Sequence, residues 1–309
     1  MKPIFAERVT GSAGKMRVLV TGLAGFTGVH LESALQSAGY EVFGLGKEPL
    51  GDGANYLAAD LEDTQMIRTW LREIRPTHVI HLAALSHVVG DPLGFYQVNV
   101  LGTESLIQAI VDAGITPEKM VIASSANIYG NASENPITEN TPIRPMNHYG
   151  VSKAAMELML SKWHTRLPII ITRPFNYTGP GQSERFVFAK IVAAFRRRDS
   201  TLSLGNIHVS RDLSDVRYVS RIYQRLLECD SHNVSVNLCS GNTVSILQAI
   251  DIMSDIAGYR PEIEVNPALV RADEIMTLSG DPSLLGRLVG PLEPIDIRQT
   301  LQDMYNAVA

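Results

Sequence analysis

The chain has few cysteines and no long apolar run. Its 309 residues contain two cysteines, Cys229 and Cys239, which are too few for a disulfide framework. No CxxC pair or His/Cys cluster predicts a bound metal. No apolar stretch reaches the 18 or so residues that a membrane span requires. We therefore expect neither a disulfide-stabilised secreted domain nor a membrane protein, and no metal site.

An excess of positive charge is also missing. The formal net charge is −5, so no global field favours nucleic acid or an anionic membrane. The one basic run, Arg196–Arg198, follows an apolar helical pattern and is expected to be the solvated last turn of a helix; a phosphate-binding role is the alternative. Residues 1–15 lack the apolar segment of a secretory signal. We expect them to form a flexible extension, and we expect the protein to be cytoplasmic.

From Met16 onward, short apolar runs alternate with helical patterns. The runs include MRVLVTG, EVFGLG, THVIHLAA, KMVIASS and LPIIITRPF. Continuous Val/Ile/Leu runs between helices are typical of a parallel sheet that is covered on both faces. The predicted fold is α/β, with a doubly wound Rossmann parallel sheet over residues 16–174. Residues 175–309 are less regular and are expected to form mainly a smaller, mixed α/β C-terminal substrate lobe, with later segments returning to the first domain.

A glycine-rich turn follows the first predicted strand. VTGLAGFTG, residues 20–28, places Gly22, Gly25 and Gly28 between this strand and the first predicted helix. Glycines at this position permit a tight turn and let a pyrophosphate approach the helix N-terminus. The turn therefore predicts a dinucleotide site, and a glycine turn without a ligand is the alternative.

The end of the second predicted strand indicates which dinucleotide is bound. Sites that prefer NAD commonly have an acidic residue there, which holds the ribose 2′-hydroxyl. Here Gly46 is followed by Lys47, so a cation is available for a 2′-phosphate and NADP(H) is favoured over NAD(H). Lys47 could instead be an ordinary surface lysine. Asp60 could hold the adenine edge or serve as a helix N-cap.

Three further residues predict acid–base chemistry. Tyr149 and Lys153 stand four apart at the start of a predicted helix and so share one face. A nearby cation favours phenolate, so the pair could act as a general acid and base, although chance could also produce this spacing. Ser125 ends the strand KMVIASS, where a parallel sheet opens onto its ligand crevice. Its hydroxyl could hold a substrate oxygen beside Tyr149 or could bond its own backbone.

Taken together, the motifs resemble the extended short-chain dehydrogenase/reductases, in particular those that act on nucleotide-diphosphate sugars. The resemblance covers residues 16–305. The motifs that carry it are Gly22-x-x-Gly25-x-x-Gly28, Asp60-Leu61, HLAALSHV at 81–88, Asn99 with Gly102-Thr103, SSANIYG at 124–130, Tyr149-x-x-x-Lys153 and RPFN at 173–176.

The resemblance implies a role for each matching residue. Tyr149 would exchange the proton at the sugar oxygen, Lys153 would bind the nicotinamide ribose and lower the Tyr149 pKa, and Ser125 would orient the carbonyl. The implied cofactor-binding residues are Gly22, Gly25, Phe26, Thr27, Gly28, Lys47, Asp60, Leu61, Leu82, Ala83, Ala84, Asn99, Tyr149 and Lys153.

Two later segments, RPFNYTGPGQ at 173–182 and VSRDLSDV at 209–216, resemble the GDP-sugar branch, especially the GDP-4-dehydro-6-deoxymannose reductases. By this resemblance Arg211 would lie near the diphosphate and Glu274 near a ribose. Each could instead be a surface salt-bridge residue. The implied substrate-binding residues are Ser86, Ser125, Asn127, Asn176, Arg211, Arg271 and Glu274.

The implied function is the NADPH-dependent reduction of a 4-keto-6-deoxy nucleotide sugar, such as GDP-4-dehydro-6-deoxy-D-mannose to GDP-D-rhamnose or its C4 epimer. The alternatives are an epimerase or a 4,6-dehydratase on the same scaffold, and a non-catalytic NADP sensor. Members of the family often form homodimers through two long helices, here about 93–113 and 149–166. Two departures affect the substrate assignment: Tyr177 stands where His is common, and LLGRLVG at 284–290 replaces a segment with an aromatic residue.

Overall fold

The computed structural model describes residues 16–50, 55–86, 92–270 and 276–307. The predicted N-terminal extension, residues 1–15, lies outside these ranges. Within them, no helix is both long enough and apolar enough to cross a membrane.

A sheet of seven parallel strands forms the centre of the molecule, in the order β3-β2-β1-β4-β5-β6-β10. The strands are β1 (Arg17–Thr21), β2 (Glu41–Gly46), β3 (Tyr56–Ala58), β4 (His78–His81), β5 (Lys119–Ala123), β6 (Ile169–Pro174) and β10 (Val234–Leu238). The direction of winding reverses between β1 and β4, and such a switch point opens the ligand crevice of a doubly wound sheet. The predicted Rossmann architecture is therefore confirmed.

Helices cover both faces of this sheet. The α-helices of the described residues, including those of the smaller lobe, are α1 (Phe26–Ser37), α2 (Thr64–Ile74), α3 (Leu93–Tyr96), α4 (Thr103–Asp112), α5 (His148–Leu160), α6 (Val187–Arg197), α7 (Val216–Glu228), α8 (Ile246–Ala257), α9 (Ser283–Val289) and α10 (Ile297–Asn306). Leu31 of α1 and Tyr223 of α7 are buried on one face, and Leu106 of α4 and Met156 of α5 on the other. Burial on both faces explains why the strands are almost purely apolar.

The C-terminal half builds a second, smaller lobe. Its strands are β7 (Asn176–Thr178), β8 (Thr201–Leu204), β9 (Ser210–Asp215), β11 (Thr243–Ser245), β12 (Glu262–Val265) and β13 (Thr277–Leu278). Strand β9 is the centre of one small sheet and pairs with β7, β11 and β13, while β8 pairs with β12. Helices α6, α8 and α10 share a third apolar core with these strands. Both α7 and β10 return to the main sheet.

Two predicted helices have different bounds in the structure. The helix predicted over 93–113 is interrupted by a π-helical turn, Gln97–Gly102, a feature that is frequent at functional sites. The helix predicted over 149–166 ends at Leu160 and is followed by a 3₁₀ turn, Ser161–Trp163. As predicted, the basic run forms the exposed end of α6, where Arg197 pairs with Glu184 and Asp199.

Candidate active site

The predicted catalytic residues meet at the carboxyl end of β5. The side chain of Asn147 caps α5 by accepting a hydrogen bond from Gly150 N at 2.8 Å, which begins the helix one residue before Tyr149. The Tyr149 hydroxyl is hydrogen-bonded to the Ser125 hydroxyl. One turn later, Lys153 Nζ donates to the Ala123 carbonyl at 2.7 Å. Local helix geometry thus brings the phenol and the ammonium to one strand end.

Burial dominates the electrostatics of the Tyr149–Lys153 pair. It raises the pKa of Tyr149 to about 12, against the hydrogen bond from Ser125, and lowers the pKa of Lys153 to about 7. In this structure the cost of removing the phenolate from water outweighs any lowering of the Tyr149 pKa, and the expected effect of Lys153 stays a prediction. Tyr149 remains a protonated phenol at neutral pH, which is the form that a proton donor requires.

The exposed amide of Asn127 adjoins the pair. Its backbone N–H and its Nδ2 both donate to Ser125 Oγ, at 3.2 Å and 3.0 Å. These bonds hold the serine oxygen as an acceptor and leave its own proton for Tyr149 or for a substrate oxygen. The position predicted for substrate contact is therefore close to the acid.

Beneath Lys153, a buried ion pair was missed by the sequence analysis. Glu157 raises the pKa of Lys153 and so opposes the effect of burial. Arg173 Nη2 donates to Glu157 Oε2 at 2.7 Å, and Arg173 Nη1 donates to Tyr129 Oη at 2.9 Å. The spacing in the sequence could have indicated the contact between Lys153 and Glu157, because Glu157 stands four residues beyond Lys153 and therefore on the same helix face.

The glycine turn has the geometry of a phosphate cradle. Gly22 has φ +74° and a Cβ there would lie 3.0 Å from Ala83 N, while a Cβ on Gly28 would lie 2.2 Å from Leu23 O. Gly25 is the N-cap of α1 and has no side chain to occupy the helix N-terminus. The first N–H groups of α1 therefore fit the pyrophosphate of a dinucleotide.

Thr27 and Leu61 contribute differently from the prediction. Thr27 Oγ1 is 2.8 Å from the Tyr177 hydroxyl, so the threonine side chain already has a protein partner and its backbone N–H is the group suited to phosphate. The Leu61 side chain is buried in the apolar core, close to Gly102. Only the backbone of Leu61 is therefore suited to contact an adenine.

At the predicted 2′-phosphate site, Lys47 is paired with an acidic residue. Lys47 Nζ lies 3.2 Å from Asp60 Oδ2, and both side chains are largely exposed. A backbone hydrogen bond from Glu62 and the contact with Lys47 lower the pKa of Asp60. Because an exposed ion pair is weak, Lys47 can exchange this partner for a phosphate.

We expect Lys47→Ala to reduce the preference for NADPH over NADH. The loss should be at most about fivefold in kcat/KM with NADPH, the scale of an exposed ion pair of up to about 1 kcal/mol, with little change for NADH. Steady-state kinetics with both cofactors measures it, and Lys162→Ala, at an exposed lysine paired with Glu104, is the matched control. Equal losses with NADPH and NADH would contradict the role.

Asn99 was predicted to bind cofactor, but its side chain is occupied by protein groups. Its Oδ1 accepts from Leu85 N at 2.8 Å, and its Nδ2 donates to Leu85 O and to Ser152 Oγ, both at 3.0 Å. Ser152 Oγ in turn donates to Tyr149 O at 2.7 Å. A fully buried amide must have its partners within the protein, so a contact of Asn99 with the cofactor stays a prediction. Asn99 fastens the loop after β4, with Leu82, Ala83 and Ala84, to the catalytic helix.

His81, which the sequence analysis cited only within a motif, extends this network. Ala83 N donates to Thr21 Oγ1 at 3.1 Å, so Thr21 donates to His81 Nδ1 at 2.6 Å. His81 Nε2 then donates to Thr103 Oγ1 at 2.9 Å, and Thr103 donates to Asn99 O at 2.8 Å. The neutral His81 tautomer with its proton on Nε2 satisfies all four of these hydrogen bonds. Burial, with Lys153 nearby, lowers the pKa of His81 to about 3.

This shift predicts how stability depends on pH. The unfolded chain protonates His81 below its ordinary pKa of about 6.5, whereas the folded protein does so only near 3. Stability from this group is therefore present above pH 6.5 and is lost as the pH falls. Between pH 7 and pH 5 the loss should be about 2 kcal/mol. Urea unfolding at both values should show this component in the parent and in His232→Gln, at an exposed histidine, and not in His81→Gln.

The predicted substrate residues lie on several elements around this edge. Asn176 is exposed on β7, which pairs with β9, and Arg211 of β9 donates from Nη1 to Ser210 O at 2.9 Å. Ser86 is exposed at the end of a described range. Arg271 and Glu274 lie outside the described residues. The structure therefore gives the locations of Ser86, Asn127, Asn176 and Arg211, and the substrate-binding role of all six residues stays a prediction.

The fold and this site define an enzyme of the short-chain dehydrogenase/reductase type. The family model described as GDP-mannose 4,6 dehydratase matches residues 19–304, and the chain belongs to this family. The predicted family and the predicted class, an enzyme with oxidoreductase chemistry on nucleotide sugars, are thereby confirmed.

Two curated relatives are each 34% identical to the chain. GDP-6-deoxy-D-talose 4-dehydrogenase of Aggregatibacter actinomycetemcomitans aligns over 94% of this chain and 97% of its own length. GDP-6-deoxy-D-mannose reductase of Pseudomonas aeruginosa aligns over 93% and 95%. Among solved structures, RMD from Pseudomonas aeruginosa complexed with NADPH is 32% identical with a TM-score of 0.84, covering 94% of this chain and 97% of its own. A candidate epimerase from Burkholderia cenocepacia is 39% identical, with a TM-score of 0.89 and coverages of 95% and 98%.

Proposed function

We propose that the protein is an NADPH-dependent reductase of a 4-keto-6-deoxy nucleotide sugar, with GDP as the favoured nucleotide. One observation carries the proposal: the buried Tyr149 hydroxyl is hydrogen-bonded to Ser125 at the carboxyl end of β5, in the same parallel sheet whose first strand leads into the glycine cradle. At neutral pH this pair can donate a proton to a carbonyl oxygen that is being reduced.

In the proposed mechanism, Ser125 orients the C4 carbonyl and Tyr149 transfers its hydroxyl proton to the carbonyl oxygen. Lys153, held by Ala123 O, lies on the same helix face and stabilises the phenolate that remains. When bound, NADPH supplies the hydride to C4. The N–H groups at the start of α1 would hold its pyrophosphate, and Lys47 would hold its 2′-phosphate.

The choice of cofactor and nucleotide rests on separate observations. Gly46 and Lys47 favour a 2′-phosphate, and one similar structure, from Pseudomonas aeruginosa, is complexed with NADPH. Both curated relatives cited above are named for GDP-linked 6-deoxy sugars. Their names differ in the sugar, 6-deoxytalose or 6-deoxymannose, so the product is GDP-D-rhamnose or its C4 epimer.

If Arg211 binds the diphosphate of the substrate, its removal should weaken GDP binding. Removing a hydrogen bond to a charged group costs roughly 1.5–3 kcal/mol, so Arg211→Ala should weaken GDP binding about 10- to 150-fold. Isothermal titration calorimetry measures this effect, and Arg260→Ala, at an exposed arginine paired with Asp251, is the control. An unchanged affinity for GDP would remove Arg211 from the site, and tighter binding of dTDP than GDP would reject the GDP assignment.

A spectrophotometric screen tests the reaction. NADPH oxidation should be followed over 4-keto-6-deoxy sugars linked to GDP, dTDP, UDP or CDP, and the GDP sugar should give the highest kcat/KM. Turnover without net NADPH oxidation would favour an epimerase or a dehydratase. A lack of turnover with every keto sugar would favour the non-catalytic NADP sensor.

We also propose that each lobe binds a different ligand, with residues 16–174 binding NADP(H) and 175–309 binding mainly the nucleotide sugar.

We further propose that the protein forms a homodimer. Leu101 in the π-helical turn and Leu158 on α5 are 60% and 74% exposed, and pairing two copies of each segment in a four-helix bundle would cover them. Light scattering should give twice the chain mass for the parent and the chain mass for Leu158→Glu.

A further inference from the structure

Tyr177 joins the small lobe to the helix of the glycine cradle. Its hydroxyl lies 2.8 Å from Thr27 Oγ1. Its ring stacks on Phe26, with centroids 6.1 Å apart and planes at 10°. His30 Nε2 and Pro180 O, 2.9 Å apart, form a second link between the same two segments. The first turns of α1 are therefore fastened to residues 177–180.

The neighbour of Tyr177 faces the other side of β7. Successive residues of a strand point to opposite faces, and Asn176 is exposed where Tyr177 turns to Thr27. Strand β7 also pairs with β9, with Asn176 opposite Leu213, and β9 carries Arg211. Strand β7 thus carries Asn176 on one face, pairs with the strand that carries Arg211, and contacts the start of α1 through Tyr177 on its other face.

The segment around Tyr177 is held by side-chain hydrogen bonds and by close packing against α7. Gln182 Nε2 donates to Tyr177 O at 3.0 Å, and Thr178 Oγ1 donates to Gln182 Oε1 at 2.6 Å. A Cβ on Gly179 would lie 2.5 Å from Val216 Cγ1, so the backbone there is packed directly against α7. A ligand that shifts Asn176 is therefore expected to shift Tyr177 with it.

We infer that Tyr177 is a positioning residue that couples binding of the nucleotide sugar to binding of the dinucleotide, through its hydrogen bond to Thr27. The inference rests on the proposed function, since it takes Asn176 and Arg211 as sugar-nucleotide contacts. The first ligand fixes the position of β7 and, through Tyr177, that of the start of α1. The second ligand then binds a site whose geometry is already set, and by linkage the effect is the same in either direction.

Calorimetry of NADP⁺ binding, with and without saturating GDP, measures the coupling. In the parent, GDP should tighten NADP⁺ binding about fivefold or more, the lower end of ordinary coupling between sites. In Tyr177→Phe, which keeps the ring and removes the hydroxyl, the gain should fall below about twofold. Thr27→Val should do the same, and the double variant should lose no more than either single variant, because both remove one bond. Tyr259→Phe, at a tyrosine bonded within the small lobe to Ala194 O, should keep the full coupling.

Hydrogen exchange gives a readout that a purely structural role would not affect. GDP alone should slow amide exchange in peptides covering 26–37 of the parent, and this protection should be absent in Tyr177→Phe. Full coupling in Tyr177→Phe, or binding of both ligands to the parent without any coupling, would overturn the inference and leave the proposed function intact. Failure of GDP to bind at all would reject both.

Discussion

Tyr149→Phe should reduce kcat for keto-sugar reduction by about 10²-fold or more, the scale of general-acid catalysis. The variant keeps the ring, which packs near Phe95 with centroids 5.9 Å apart, and removes the only proton that the phenol can transfer. Ser125 keeps its bonds from Asn127, so binding of the substrate should change much less than turnover. Steady-state and single-turnover kinetics with NADPH separate the two effects.

The matched control for Tyr149→Phe is Tyr259→Phe, which also removes one phenol oxygen. Tyr259 lies in the small lobe, where its hydroxyl donates to Ala194 O and Phe195 O. It should retain nearly full kcat. Thermal unfolding of both variants checks that neither loss is a folding defect. General-acid catalysis contributes about 10²-fold or more to the rate. If kcat of Tyr149→Phe stayed within about threefold of the parent value, another group would have to be the acid.

The second large effect is a reaction that should not occur: GDP-mannose with NADP⁺ should be left unchanged. Dehydration across C5–C6 needs a base to take the C5 proton, and the family resemblance implies that the dehydratases use a Glu two residues before the Tyr of the YG motif. In SSANIYG that place is Asn127, an amide that cannot accept a proton at neutral pH. Its Nδ2 is moreover committed to Ser125 Oγ, and the intervening Ala126 is inert. The family name therefore describes a chemistry that we do not expect from this chain.

Mass spectrometry distinguishes the two reactions. A 4-keto-6-deoxy GDP sugar with NADPH should gain two hydrogens, with one NADPH consumed for each product, and this arm shows that the preparation is active. GDP-mannose with NADP⁺ should show no product that has lost water. Loss of water from GDP-mannose would overturn the reductase assignment, because Asn127 would then have to be bypassed by another base.

Local sequence determined the parts of the site that depend on period and turn chemistry. Tyr149 and Lys153 share a face because four residues are about one turn of helix, and Gly22 and Gly28 are required where the backbone itself leaves no room for a Cβ. The order of apolar runs similarly predicted a doubly wound parallel sheet. Each of these inferences needs only neighbours along the chain.

Tertiary structure alone decided the charges and the partners. Whether Tyr149 loses or keeps its proton depends on how much water and how many charges surround it, and burial reversed the direction expected from the spacing to Lys153. Asn99 and Thr27 matched cofactor-binding positions, yet Ser152 and Tyr177, 53 and 150 residues away in sequence, occupy their side chains. The link between Tyr177 and the start of α1 has the same origin: no periodicity along the chain encodes a contact that forms only when β7 folds over the cofactor helix.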